Sequence, residues 1–365
     1  MNIVYDLRYA SEHFPGIGTY AYSLFAALVE LPTEDRFRVL WNPSEAATRF
    51  GRSPLATHPR VQGVATTRAP LGFLAPFTTS ALLRRFGGDV YLSPFYVRPV
   101  AAPMPVVLTL HDALHLTRES GSPAWLRLRF ALALRYARGA DALLTVSEFA
   151  RRDLVARAGI PEAKLHVVPN GVPPRFSGEP VRPAAVPVRP FALVVGANRP
   201  HKDLRTLARA WQQMGERRPL DLVAAGPIDR RFASLASLAS GAGVHELGAV
   251  SAAELEWLYT HAVMLVFPTL YEGFGLPLLE AADRGLPVLA SDIPALRETG
   301  GEAVRYVPAG DAAAWAAAVI ELAADPAARE RMSVAGRQRA QQFDYMTSAV
   351  RARAVLASVA KRAVA

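Results

Sequence analysis

Apolar residues along this chain gather into short runs. Each run closes before a longer stretch in which apolar and polar positions mix. Parallel α/β sheets carry this alternation, because a strand covered on both faces is apolar throughout while the helix after it is apolar on one side. In the first half the runs predict strands near Ile3–Asp6, Phe37–Trp41, Val90–Leu92, Val106–Leu110, Ala142–Val146 and Leu165–Val168. In the second half they predict strands near Ala192–Val195, Leu220–Ala225, Val244–Leu247, Val263–Phe267, Val288–Ala290 and Val304–Val307. Helices are expected between them, for example Thr19–Val29, Ala124–Arg138 and Phe149–Ala158. The tail reads as three helices: Asp311–Ala323, Pro326–Gln341 and Thr347–Ala363.

One segment breaks the alternation. Residues 173–190, PPRFSGEPVRPAAVPVRP, hold six prolines. Proline lacks the N–H that a sheet ladder needs, and dense proline makes a stiff, extended connector. The expected organisation is therefore an N-terminal domain at 1–172, the linker at 173–190, a second domain at 191–346 and a terminal helix at 347–365. Two domains also follow from 365 residues, too many for one typical core. Open α/β sheets bind ligands beyond the C-terminal ends of their strands. Two such domains are expected to face each other across a cleft, hinged at the linker.

Composition narrows the chemistry. At 51% hydrophobic and 20% charged residues, the chain is globular and not disordered. No apolar run reaches the roughly 18 residues of a membrane-spanning helix. The opening MNIVYDL is strand-like and shows no secretory signal, so a cytoplasmic location is expected. The absence of cysteine excludes disulfides, thiolate catalysis and Cys-ligated zinc. The net charge of +9 is uneven: residues 1–175 hold 20 Lys and Arg against 13 Asp and Glu, the remainder 21 against 19. A basic first half attracts anionic lipid or a phosphorylated acceptor. With no compact Lys/Arg run and no basic stripe interleaved with aromatics, nucleic acid is not an expected partner. Peripheral contact with the inner membrane face is.

The densest chemistry lies in YEGFGLPLLEAADRGLPVLASDIPALRET, residues 271–299. Glu272 and Glu280 stand eight positions apart, with Gly273, Phe274, Gly275, Leu276 and Pro277 between them. Pro277 suits a first helical position and Gly285 the residue past a helix end. The segment thus reads as strand, glycine loop and short helix. Glu272 would lie in the loop and Glu280 near the helix's first turn. Backbone N–H groups at such a loop and the helix dipole attract anions. Two carboxylates beside an anion site suit a ligand with both phosphates and hydroxyls, as a nucleotide sugar has.

The stretch resembles the E-x7-E signature of glycosyltransferase family 4, retaining enzymes of the GT-B fold. Two glutamates at that spacing are common. Within FPTLYEGFGLPLLEA and GLPVLASDIPALRETGG they are specific. The resemblance implies two Rossmann-like domains, with the final helix crossing back to the first. It implies that Glu280 accepts from ribose hydroxyls, and that Glu272 holds the donor sugar and helps stabilise an oxocarbenium-like transition state.

Other segments extend the likeness. FPGIGTYAYSL places Gly16 and Gly18 in what reads as a loop before a helix, similar to the family's glycine loop on the acceptor and diphosphate side. Gly16, Gly18 and Ala21 also imitate a dinucleotide fingerprint. The distance of that spacing from the preceding strand argues against dinucleotide binding. VVLTLHDALH puts His111 and Asp112 at a strand's C-terminal end, where the family keeps a histidine beside the donor sugar. A neutral or cationic imidazole there could donate to a sugar hydroxyl or phosphate. Asp112 reads as a turn or capping carboxylate. No third ligand joins His111 and His115, so no metal is expected. Ser147 reads as a helix N-cap and, by resemblance, as a neighbour of the acceptor. Asn170-Gly171 resembles the family's P-N-G-V loop, with Asn170 on the acceptor side or in a turn that puts Gly171 at positive φ.

Past the linker, VVGANRPHKDL ends a strand at Gly196 and offers Arg199 and Lys202 near a helix start, as a diphosphate requires. Lys202 matches the family pattern. His201 stands where arginine is usual and Arg199 where glutamate is common. Gly226 would allow close approach of the nucleotide, and the loop containing Val250 resembles the family's base-contacting loop.

The resemblance implies transfer of a hexosyl unit with retention, from GDP-mannose or a UDP-sugar to a glycan or lipid-linked acceptor. No D-x-D is present to hold a divalent metal, so cationic side chains are expected to stabilise the leaving diphosphate, and no cofactor is expected. A GT-B nucleotide-sugar epimerase and an NAD-binding oxidoreductase are the alternatives.

Overall fold

The computed structural model describes residues 1–11, 15–43, 58–240 and 243–364. Two parallel sheets organise the chain. The first contains β1 (Asn2–Asp6), β2 (Arg36–Trp41), β3 (Val61–Ala65), β4 (Val90–Ser93), β5 (Val106–Thr109), β6 (Ala142–Thr145) and β7 (Leu165–Val167). The second contains β8 (Phe191–Val195), β9 (Asp221–Ala225), β10 (Val244–Gly248), β11 (Met264–Phe267), β12 (Val288–Ser291) and β13 (Arg305–Val307). Their orders are β3-β2-β1-β4-β5-β6-β7 and β10-β9-β8-β11-β12-β13. Each order reverses once, between β1 and β4 and between β8 and β11. These reversals are the switch points where doubly wound sheets hold ligands.

The second sheet shows why its strands read as unbroken apolar runs. On β8, Ala192 and Val194 enter one core and Leu193 the other. On β11, Met264 and Val266 divide from Leu265 and Phe267 in the same way. One core is filled by the helices Leu204–Met214 and Ala312–Ala324, which bring the fully buried Trp211 and Trp315. The other is filled by Tyr259, Leu278 and Leu296.

By contacts the chain divides into two units. One comprises Met1–Leu116, Pro123–Pro173 and Phe343–Ala365; the other Thr117–Ser122 and Pro174–Gln342. The last helix, Tyr345–Val364, belongs to the first unit and packs on the helix Pro15–Glu30. Arg353 Nε bonds Asp35 at 2.5 Å and Ser348 Oγ donates to the Pro169 carbonyl at 2.6 Å.

Several expectations shift. β3 is an edge strand in which only Val64 is buried, so it carries no apolar run to betray it. The helix Ala75–Phe86 fills part of the gap between the strands at Phe37–Trp41 and Val90–Leu92. Gly16 and Gly18 do not form a loop: they lie inside the first turn or so of Pro15–Glu30. A Rossmann glycine turn is therefore absent at that point. Gly171 is not among the glycines of positive φ. It is required by proximity, since a Cβ there would sit 2.3 Å from the Tyr345 nitrogen. The proline-rich stretch has no helix or strand. It lies on the second unit, with Val186 buried in a core cluster and Arg182 5.7 Å over the Trp257 ring.

Candidate functional site

Two glycines end neighbouring strands in the second unit. Gly196 follows β8 with φ +134°, and Gly226 follows β9 with φ +152°. The Gly196 N–H donates to Ala225 O at 2.9 Å, and the Gly226 N–H to Gly248 O at 2.8 Å. A Cβ on Gly226 would stand 2.3 Å from the Gly196 carbonyl oxygen. The two strand ends are thus as close as glycine allows. They line a pocket with Asn198, Ile228, Glu246 and Gly248.

After Gly196 the chain turns through Pro200–Lys202 into the helix Leu204–Met214. Thr269, just past β11, fixes this turn. Its hydroxyl lies 2.9 Å from the His201 carbonyl and 3.0 Å from that of Tyr271. The Leu270 N–H also donates to His201 O, at 2.7 Å. Ser291 Oγ accepts from the Thr269 N–H at 2.8 Å, tying β12 into the arrangement. Loops of β8 and β11, on either side of the switch point, are so locked together. Lys202 Nζ consequently pairs with Glu272 Oε1, both side chains mostly buried, and lies 4.8 Å over the Phe267 ring.

The glycine loop then enters the helix Leu276–Asp283 through Gly275, with Pro277 in the first turn. Gly275 has φ +99°, and a Cβ would meet Leu296 Cδ2 at 2.6 Å. Thr299 Oγ1 donates to the Phe274 carbonyl at 2.7 Å, holding the loop from below. Arg284 follows the helix and Gly285 takes φ +71°, as the sequence pattern anticipates. Glu280 lies just past the first turn of the helix, close to where the sequence pattern puts it. Its Oε2 accepts from Tyr259 Oη at 2.7 Å. Arg284 is buried against Glu256, Nη2 to Oε2 at 2.5 Å, and lies 5.0 Å over the Tyr259 ring. The structure thus brings Gly196, Lys202, Gly226, Glu272, Gly273, Phe274, Gly275, Leu276 and Glu280 onto the strand ends and the helix start of one unit.

Arg199 turns elsewhere. Its Nη1 lies 3.1 Å from Asp229 Oδ2, on a carboxylate already gripped by Arg231 at 2.7 Å. Hydrogen bonding to Arg231, with Arg199 close by, holds Asp229 well below the usual carboxylate range. Asn198 anchors the same loop, accepting from the Asp229 N–H at 2.6 Å and donating to the Asp229 carbonyl at 3.1 Å. Val250 precedes the capping-box helix Ala252–His261, and its side chain packs on the core.

The first unit holds the remaining candidates. His111 follows β5 with its Nε2 2.8 Å from the Pro94 carbonyl. A carbonyl only accepts, so Nε2 carries the proton and Nδ1 is left as an acceptor. Burial drives the pKa down to about 4, so the ring is neutral at physiological pH. This corrects the expectation of a donor to sugar or phosphate: a neutral ring in this tautomer accepts from a hydroxyl. Tyr20 meets the ring edge-on at 4.8 Å. Asp112 accepts from the Leu114 N–H at 2.9 Å, the turn role anticipated. Ser147 is buried and caps Glu148–Ala158, accepting from the Ala150 N–H at 2.9 Å. Asn170 is buried and its Oδ1 has no hydrogen-bond partner. Among the described residues no cluster of three or more His, Cys, Asp or Glu could hold a metal ion.

Sequence reading missed Thr269, Tyr259, Asn198 and Asp229. Thr269 stands inside the motif yet gave no sign of its bonding. Tyr259 lies 21 positions before Glu280, a separation no helix or strand periodicity encodes.

A family model described as Glycosyltransferase Family 4 matches residues 15–176, and one described as Glycosyl transferases group 1 matches 189–325. The chain is 30% identical over 219 residues to the O-antigen chain mannosyltransferase B of Escherichia coli, covering 56% of this chain and 58% of that protein. It is 30% identical over 271 residues to the MMP alpha-(1->4)-mannosyltransferase of Mycolicibacterium hassiacum, covering 69% of this chain and 64% of that one. The chain thus spans less than two thirds of the length of these relatives. Among solved structures, HepE of Anabaena in complex with UDP and glucose superposes with a TM-score of 0.71 at 18% identity, covering 98% of this chain and 100% of that one.

Proposed function

Since this chain belongs to glycosyltransferase family 4 and has the GT-B fold, we propose that it is a glycosyltransferase that transfers a hexosyl unit, with retention, from a nucleoside diphosphate sugar to a glycan or lipid-linked acceptor. Mannose is the favoured sugar and GDP-mannose the favoured donor, in keeping with the mannosyltransferase names of its relatives. A UDP-sugar is the second choice, in keeping with the UDP bound to HepE.

One observation carries this reading. At the switch point of the second sheet, glycine strand ends, a lysine and the N-terminus of a helix converge, with Glu272 in the loop before that helix and Glu280 within it. The close-set backbone at Gly196 and Gly226 admits a nucleotide without side-chain obstruction. Lys202 and the start of Leu276–Asp283 supply positive potential for a diphosphate. Glu280, steadied by Tyr259, is placed to accept from ribose hydroxyls. Glu272 orients the sugar. As the bond from the anomeric carbon to the diphosphate oxygen breaks, Lys202 stabilises the charge on the departing group. The acceptor oxygen attacks on the same face, and its proton passes to that phosphate oxygen. His111 would accept from a sugar hydroxyl through Nδ1. Arg199 would join the phosphates only by leaving Asp229, and Val250 would offer its backbone to the base. Ser147 and Asn170 stay as acceptor-side proposals, the second favoured by its unsatisfied Oδ1.

The test is a screen of nucleotide sugars in chelator, with mass detection of the released nucleotide. Release of GDP or UDP from one donor supports the reading. Thermal stabilisation by NAD, and by neither GDP nor UDP, overturns it.

A further inference from the structure

The helix Ala124–Ala137 is apolar on two sides. Phe130, Leu134 and Ala137 are buried in the first unit's core. On the far side, Trp125, Leu128 and Leu132 are 64%, 63% and 58% exposed. With Tyr136 they fall within about 80° of arc on a helix of 3.6 residues per turn. An amphipathic helix normally turns charge outward at those positions. Here the charge stands at the margins: Arg129 borders the outward stripe on one side and Arg135 on the other, both exposed.

The stripe continues across the same unit. Tyr136 Oη donates to the Pro99 carbonyl at 3.2 Å, and the Val100 N–H to the Pro76 carbonyl at 3.3 Å. Pro76 leads to Phe77, at the start of Ala75–Phe86, and the preceding loop ends in Phe73, which is 86% exposed. Arg84 and Arg85 lie exposed toward the end of that helix. No Asp or Glu occurs between Glu45 and Asp89, or between Glu119 and Asp141. Exposed tryptophan, phenylalanine and leucine beside arginine, on segments that themselves carry no acidic residue, complement a surface with an apolar interior and an anionic face.

We propose that this face of the first unit docks on an anionic membrane, with Trp125, Leu128, Leu132 and Phe73 entering the headgroup boundary and Arg129, Arg135, Arg84 and Arg85 facing the lipid phosphates. The contact lies at the surface, since no helix among the described residues is long and apolar enough to cross a bilayer. It stands apart from the donor chemistry and holds whatever sugar is moved.

The test uses the full chain without nucleotide or acceptor, so failure leaves the donor reading untouched. Vesicles of phosphatidylcholine, with and without phosphatidylglycerol, are pelleted with the protein. Binding is expected to the anionic vesicles only, to weaken as salt rises, and to fall at least ~10-fold in Trp125→Ser/Leu128→Ser/Leu132→Ser. The anionic vesicles should also blue-shift the tryptophan emission, and Trp125→Phe should abolish the shift. If the triple variant does not fold, Arg129→Glu/Arg135→Glu takes its place with the same expected loss. Absence of binding, equal binding to both vesicle types, or undiminished binding by the variants overturns the proposal. So does light scattering that shows a dimer dissolved by the triple variant, which would give this face to a second copy of the chain.

Discussion

Lys202 and Glu272 lie 70 positions apart and form an ion pair between the loops that follow β8 and β11. The pair is mostly buried, so each charge is the other's main counter-ion. A diphosphate arriving at Lys202 would share the ammonium with the carboxylate. The two residues should therefore fail differently. Lys202→Ala removes the cation that meets the leaving group, and kcat should fall about 100-fold with a smaller change in KM. Glu272→Gln keeps the shape and frees the ammonium. Affinity for GDP or UDP should hold or rise while turnover drops. Steady-state kinetics with calorimetry of nucleotide binding separates the two. Equal loss of nucleotide affinity in both variants would remove the assignment.

Glu280 holds a different part of the ligand. If it accepts from ribose hydroxyls, Glu280→Ala should weaken nucleotide binding by about 10- to 100-fold, the scale of hydrogen bonds to a charged group. Tyr259 acts through Glu280 by fixing its rotamer at 2.7 Å. Tyr259→Phe should raise the donor KM about three- to tenfold and spare kcat, as expected of a positioning residue. A ligand lacking the ribose hydroxyls should bind wild type and Glu280→Ala alike.

Much of this site was legible in residue order because its local parts are built from neighbours in sequence. Gly275, Pro277 and Gly285 mark the start and end of one short helix by backbone rules that need no tertiary knowledge. The strands flanking the switch point announced themselves because both faces of β8 and β11 are covered. β3 did not, since an edge strand with one buried side chain has no pattern to show. Gly16 and Gly18 misled because glycine before an apolar stretch reads as a loop, whereas Pro15 starts the helix ahead of them. The bonds of Thr269 and Tyr259 join distant segments, and the partners of Arg199 depend on a loop some thirty positions on. Such pairings are set by the sheet order, which no spacing along the chain records.

The close approach of Gly196 and Gly226 makes a stability prediction with a built-in control. At φ +152°, and with a Cβ 2.3 Å from a backbone oxygen, alanine at 226 has neither an allowed conformation nor room. Gly226→Ala should cost about 3 kcal/mol or more and lower the melting temperature of the second unit. Gly248 also has positive φ, +69°, but its Cβ would meet nothing within 4 Å. Gly248→Ala should cost only the left-handed backbone term, about 1 to 2 kcal/mol. Denaturant melts of both variants rank them. Comparable losses would mean that the strand ends are not in contact.

His111 links the first unit to pH. Its folded pKa is about 4 against an ordinary 6.5, because burial disfavours the cation. Above pH 6.5 the ring is neutral whether the chain is folded or not, and stability does not depend on it. As pH falls below 6.5 the unfolded chain takes up a proton that the folded one refuses, so stability declines until about pH 4, where both forms are protonated. With one pKa unit worth about 1.4 kcal/mol, the decline is at most about 3.5 kcal/mol. His111→Gln keeps a side-chain N–H for the Pro94 carbonyl and does not titrate. Its stability should therefore fall less than that of wild type between pH 7 and pH 4 in urea melts. Parallel curves for the two proteins would show that the folded imidazole takes up its proton as readily as the unfolded one, so that burial does not depress its pKa.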